Sequence, residues 1–317
     1  MAGYECNLVL VHTPPLQARS DFEVVRAAIS ERAPDIEVFI ADNRRISPVT
    51  VRQAAERPAV VFSPVGLRRF RPRRGKVFAG IEGTTKTAEA KQLVAAGVRT
   101  PDWVVLQPDT RLDPETWGPF TVVKPDSGRQ GKGVRLWRTR DVRWVDPMSW
   151  PGDDRRYGRP LVAQRFVDTG PLTTNYRVMT VFGRVVFAIS SRMTAARPFD
   201  LDGDLDGNDD GAFDHPIAAT GEGRVIVLCD QADVLDFARE AAGAFPEVGA
   251  LGIDIVREQA TGLLYALEVN QRGGVWHLSS RYWANNRQRF GLDLYAQFGA
   301  IAIIAKALID VTRREAV

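Results

Sequence analysis

Short apolar runs alternating with helical periodicity open the chain. Asn7 to His12 reads as a strand and is broken by Pro14-Pro15. Ser20 with Glu23 three residues later has the form of a capping box, starting an amphipathic helix that Pro34 stops. Ile36 to Ile40 is a second strand, Ser47-Pro48 begins a short helix, and Ala59 to Phe62 is a third strand. Strands spaced by helices predict a parallel, doubly wound sheet. The pattern then changes. Thr84 or Thr85 caps a helix carrying Lys86 and Glu89, which Gly97 ends. Trp103 to Leu106, Phe120 to Lys124, Val134 to Trp137 and Leu161 to Val167 read as strands. Two hairpins follow, turned at Phe182-Gly183 and at Ala260-Thr261-Gly262, with a helix over Asp230 to Phe245 between them. Leu292 to Arg314 reads as one long amphipathic closing helix, whose broad apolar face suits core or a homodimer contact.

Composition narrows the class. Hydrophobic residues at 44% and charged residues at 26% exclude a disordered or fibrous chain. Cys6 and Cys229 are too few for a disulfide framework. The apolar stretch from Gly299 to Ile309 is too short to span a bilayer, and Leu8 to Val11 is too short for a signal core. The expectation is a cytoplasmic protein without a membrane partner. A net charge of +3 gives no general attraction to nucleic acid. The charge is uneven, however: six of nine residues from Arg68 to Lys76 are basic, and seven of fifteen from Asp200 to Asp214 are Asp.

Several chemistries are absent. His12, His215 and His277 are scattered, so there is no His-based zinc motif. There is no G-x-S-x-G elbow, and Gly131-Lys132-Gly133 lacks the Ser or Thr of a Walker loop. Two features carry chemistry instead. A strand ends in Lys124, and the glycine-rich segment Gly128 to Gly133 follows before the next strand. Such a turn can fold backbone N–H groups over phosphates with a lysine beside them, or be an ordinary flexible hairpin. On the last hairpin Glu268 and Asn270 share a strand face, and Asp254 on the partner strand can face them. Two carboxylates and an amide oxygen suit Mg²⁺, or make up a solvated hairpin face.

Together, in this order and spacing, the two features resemble the ATP-grasp superfamily over roughly Thr84 to Arg281, and within it the RimK-like and amino-acid ligase-like enzymes. The resemblance implies an α/β and α+β chain: an N-terminal doubly wound pre-ATP-grasp domain (1–83), a small lid subdomain (84–163) and a C-terminal α+β lobe with the metal site (164–317). It implies that Lys86 and Lys124 contact ATP phosphates under a lid of Gly128, Gly131 and Gly133. Gln164, Phe166 and Val167 would meet the adenine, Asp168 the ribose, and Leu267 would pack beneath the base. Asp254, Glu268 and Asn270 would hold one or two Mg²⁺. The implied reaction is ADP-forming ligation of a carboxylate to an amine, the partners being small molecules or peptides, through an acylphosphate. An ATP-grasp kinase and a non-catalytic nucleotide- or polyanion-binding protein are the alternatives.

One departure concerns the oxyanion. The D-alanine–D-alanine ligase branch has an arginine two residues before the metal Asp, where this chain has Gly252. Arg272, in Asn270-Gln271-Arg272-Gly273-Gly274, resembles the tail of amino-acid ligase relatives, and Arg177 and Arg192 lie on the hairpin lining the acceptor site in the RimK-like branch. These three arginines are the catalytic candidates, because a guanidinium fork binds carboxylate or phosphate with two bonds. Asp202, Asp204 and Asp206 look like the start of a calcium loop, but Phe213 stands where its final Glu belongs. The basic run is read as a solvated connector rather than a nucleic-acid grip.

Overall fold

The computed structural model describes residues 3–45, 47–67, 72–128, 133–154, 156–197, 212–213, 218–219, 222–272, 276 and 278–317. The chain begins with β1 (Cys6–His12), α1 (Arg19–Arg32), β2 (Ile36–Asp42), α2 (Pro48–Ala54), β3 (Ala59–Ser63) and β4 (Gly75–Ala79). All four strands are parallel, in the order β2-β1-β3-β4. Every residue of β1 is buried, because both sheet faces are covered. Leu8 and Leu10 pack with Phe22, Val25 and Ile29 of α1. Val9 and Val11 point the other way, into a cluster with Ala54 of α2. The expected doubly wound unit is therefore present, with a fourth strand that the basic run before it hid from the pattern.

The capping box is not made. α1 starts at Arg19, one residue before Ser20, with Ala18 at its N-cap and no side-chain cap. Glu23 instead takes a 2.8 Å bond from Arg19, four residues back. The first turn also carries Asp21, a buried carboxylate that accepts from Trp276 Nε1 at 2.8 Å and from the Tyr295 hydroxyl. Burial and the Asp21 charge push the Tyr295 phenol well above its usual range.

Next come α3 (Lys86–Ala95), β5 (Trp103–Val105), α4 (Pro114–Trp117), β6 (Phe120–Pro125), β7 (Arg135–Arg138) and β8 (Leu161–Arg165). Thr85, of the two cap candidates, takes the N–H of Ala88. After them lie β9 (Thr174–Val181), β10 (Arg184–Met193), β11 (Ala212–Phe213), β12 (Arg224–Leu228), α5 (Ala232–Gly243), β13 (Ala250–Arg257), β14 (Leu264–Asn270), α6 (Arg281–Phe290) and α7 (Ala300–Glu315). They form two antiparallel sheets, ordered β11-β7-β6-β8-β5 and β12-β10-β9-β13-β14. The β9–β10 turn has positive φ at both Phe182 (47°) and Gly183 (75°), as a tight two-residue hairpin turn demands. The Phe182 ring meets Phe78 edge-on at 5.0 Å, so the hairpin tip docks on the first sheet.

The long closing helix is corrected. Residues 292–293 are irregular and 294–299 are turns, Gly291 and Gly299 have φ of 68° and 71°, and only Ala300–Glu315 is helical. Leu292 and Leu294 still reach the core, from loop rather than helix. α7 lies in one apolar cluster with β1, β3 and α1 on one side and β10 on the other. Among the described residues no helix is long and apolar enough to cross a membrane.

Candidate functional site

Strand alternation aims Lys124. Val123 packs into the cluster with Leu161 and Ala163, so Phe120, Val122 and Lys124 share the opposite face of β6. On the neighbouring strand β8, Gln164 accepts a 2.7 Å bond from Lys124 Nζ, and both side chains are buried. α3 brings its first turn to the same place. Asp126, just after β6, accepts from the N–H and the hydroxyl of Thr87, each at 2.9 Å, and so fixes the start of α3. Lys86 Nζ then lies 3.6 Å from Glu268 on β14. Lys86, Glu89, Trp103, Lys124, Gln164 and Leu267 line one narrow cavity between the helix and the two antiparallel sheets.

The charges there are strongly coupled. Burial, and then the like charge of Lys86, lowers Lys124 to about 8. Burial, and then the Glu268 carboxylate, raises Glu89 to about 8. A narrow cavity holding two lysines and two carboxyls makes each proton depend on its neighbours.

β13 and β14 pair so that Asp254 stands opposite Glu268, and Asn270 is two positions along the same face. Asn270 Nδ2 donates to Asp254 Oδ2 at 3.1 Å. Arg177, opposite Asp254 on β9, holds that carboxylate through two bonds of 2.6 and 2.5 Å. Among the described residues no three His, Cys, Asp or Glu side chains converge, so the donor set is two carboxylates and an amide oxygen. An all-oxygen set fits a hard cation that keeps other ligands from water or substrate. Arg177 and Lys86 already supply the positive charge these carboxylates require.

The other sequence candidates fall around this centre. Leu267 and Val167 pack with Val256 and Tyr265, and the Phe166 ring sits 6.4 Å from that of Phe120. Asp168 is held by Arg197 and by the N–H of Gly170 at 2.9 Å. A Cβ on Gly128 would touch only Arg159, at 3.9 Å, whereas one on Gly133, at φ +78°, would press on Pro125 Cγ at 3.0 Å. Arg272 is half-buried, two residues beyond Asn270. Arg192 is not brought to the cluster. It pairs with Thr174 and Val225, three positions from the Ile189–Arg177 pair, so the pleat sets it on the sheet's other face, exposed. Gly131, His277 and the residues Asp202, Asp204 and Asp206 lie outside the described residues. Sequence reading missed Glu89, Trp103 and Asp126. The signal for Glu89 was its spacing, three residues after Lys86 on one helix face.

No family model matches the chain, and no curated protein matches it in sequence. Solved structures are similar to it in fold. The ATP-grasp ligase PsnB, complexed with a phosphomimetic variant of a minimal precursor, Mg and ADP, is similar over 98% of this chain and 99% of that one, with a TM-score of 0.52 and 16% identity. D-cycloserine synthetase DcsG is similar over 96% of this chain and 99% of that one, with a TM-score of 0.51 and 18% identity. The chain has the ATP-grasp fold.

Proposed function

We propose that this protein is an ATP-dependent carboxylate–amine ligase that makes an amide or peptide bond through an acylphosphate, releasing ADP and phosphate. The observation that carries this reading is the gathering of Lys86, Lys124, Glu268, Asp254, Asn270 and Arg177 about one cleft between two antiparallel sheets. In it Lys86 and Lys124 hold the ATP phosphates beneath Gly128, Gly131 and Gly133. Gln164, the Phe166 backbone, Val167 and Leu267 take the adenine, and Asp168 the ribose after exchanging Arg197 for it. Asp254, Glu268 and Asn270 hold one or two Mg²⁺, which when bound neutralise phosphate charge. Arg177, which now holds Asp254, and Arg272 would be the guanidinium groups facing the developing oxyanion.

The chemistry is two displacements. A substrate carboxylate oxygen attacks the γ-phosphorus and the ADP oxygen leaves. The amine nitrogen then attacks the acyl carbon, phosphate leaves, and the amine gives up a proton. Burying the cleft keeps water from the acylphosphate.

The test is phosphate release from ATP and Mg²⁺ across a matrix of amino acids and short peptides, with mass spectrometry of each positive well. A product equal to the carboxylate plus the amine less water, formed with one ADP and one phosphate, establishes the ligase. A phosphorylated product formed without any amine establishes a kinase instead. Glu268→Gln combined with Asn270→Ala is expected to lower turnover at least about 100-fold. Turnover at the unaltered rate in that variant would show that the metal assignment is wrong.

A further inference from the structure

Among the described residues, the arginines between 43 and 75 (Arg44, Arg45, Arg52, Arg57, Arg73 and Arg74) do not line the cleft described above. This segment holds nine arginines and one acid, Glu56, a net charge of +8, so the rest of the chain carries −5 towards the overall +3. The described part of the segment surrounds a groove of about 460 Å³ between α2 and the residues that lead into β4. Its described lining is Val51, Ala54, Ala55 and Pro72, with Arg52 from α2, Arg73 from the segment before β4, and Glu56 as the one described acid. Val49 and Val51 are 52% and 41% exposed, on a short helix that buries only Ala54. Arg44, Arg45, Arg52, Arg73 and Arg74 are all exposed, and none makes an ion pair with a described acid, whereas Arg57 is already taken by Glu37 at 2.7 Å.

Both walls are anchored. Asn7 Nδ2 donates to the carbonyls of Gln53 and Ala54, which holds the end of α2 on β1. Ala59 N donates to Arg74 O at 3.1 Å, and Gly75 follows at φ +99°, where a Cβ would lie 2.1 Å from Ala59 O. Only glycine lets the arginine segment lie this close to β3. The groove therefore sits at the amino-terminal edge of the parallel sheet. The opposite edge faces the cleft: Gly80, just past β4, is packed between the carbonyls of Pro64 and Gln271. About 17 Å of strand separates the two edges.

We propose that this groove docks an acidic peptide segment bearing an apolar anchor, the anchor against Val51 and Ala55 and the carboxylates on Arg52 and Arg73. Guanidinium forks match carboxylates with paired bonds. Small aliphatic walls match an aliphatic side chain. A nucleic acid would use the charge but not those walls, and none of the described lining residues is an aromatic on which bases stack. The site stands independently of the ligase reading.

The experiment is fluorescence anisotropy of the full chain with a fluorescein-labelled peptide of alternating glutamate and leucine. Three controls are run: the same peptide with serine for leucine, its lysine counterpart, and a single-stranded oligonucleotide of equal charge. Binding of the acidic leucine peptide that weakens as salt rises, and weakens again with serine, is the expected result. Arg52→Glu with Arg73→Glu is expected to weaken it at least about tenfold, and Val51→Asp to weaken it separately. Far-UV circular dichroism and cooperative thermal unfolding check that both variants fold. Peptide binding that is absent, that survives the charge reversal in folded protein, or that the oligonucleotide equals would overturn the proposal.

Discussion

Glu89 has the least ordinary surroundings of any carboxyl in the cleft. Held protonated up to about 8 by burial and by Glu268, it binds a proton that the unfolded chain releases near its usual range. Folding stability is therefore expected to fall as pH rises from about 5 to 8. Lys124, lowered to about 8, acts in the opposite sense in the next window. There the unfolded chain keeps a proton that the folded chain has lost, so stability rises again towards pH 10. Urea unfolding of the ligand-free protein across this range should show a trough near pH 8. Glu89→Gln should flatten the first limb and add about 3 kcal/mol at pH 7. An unchanged limb would show that Glu89 is not the group responsible. The cleft was partly legible in the sequence because the lysines and the paired acids sit on strands, where alternation states which face each residue takes. Glu89 was not legible in the same way, because a helical carboxylate is ordinarily a solvated one.

At the scale of elements, the two hairpins were plain from their turns, and Thr85 and Ser47 take the capping roles that their positions suggest. What failed did so for identifiable reasons. Glu23 had a nearer partner in Arg19 than the N-terminal amides. Residues 292–299 carry helical spacing, yet Gly291 and Gly299 take left-handed φ and separate α6 from α7. β4 is half-exposed at most of its positions and follows a run of arginines, so no apolar stretch announced it. One contact joins an element of the first sheet to the cleft. The N–H of Ile81 donates to Gln271 O at 2.8 Å, and the Gly80 Cα leaves no room for a methyl, which would meet Gln271 O at 2.8 Å and Pro64 O at 2.7 Å. Gly80→Ala is expected to cost about 1–3 kcal/mol, read by urea unfolding, and to shift the chain that carries Asn270 and Arg272. Wild-type stability in that variant would show that the backbones part easily.

At the scale of the molecule, the cleft is a seam. Lys124 and Gln164 belong to one antiparallel sheet, and Asp254, Glu268 and Asn270 to the other. A ligand that joins them should stabilise the whole fold. ATP with Mg²⁺ is expected to raise the melting temperature with concentration, the added stability reaching about 2.7 kcal/mol at a hundred times Kd. Chelating the metal should remove most of the shift, and Lys124→Ala should abolish it. A shift that is indifferent to the metal would count against the proposed ion site.

The placement of α7 also bears on how the protein comes into being. Leu8, Leu10 and Phe62 share their core with Ile304, Leu308 and Val311, and α7 is the last helix of the chain. The first sheet is synthesised long before that helix, so the apolar face that α1 covers only in part lacks its α7 contacts while two further sheets are made. Its completion waits on a contact of very large sequence separation, which slows folding and leaves a sticky intermediate on the nascent chain. During synthesis, that half-covered face is where a chaperone would find work.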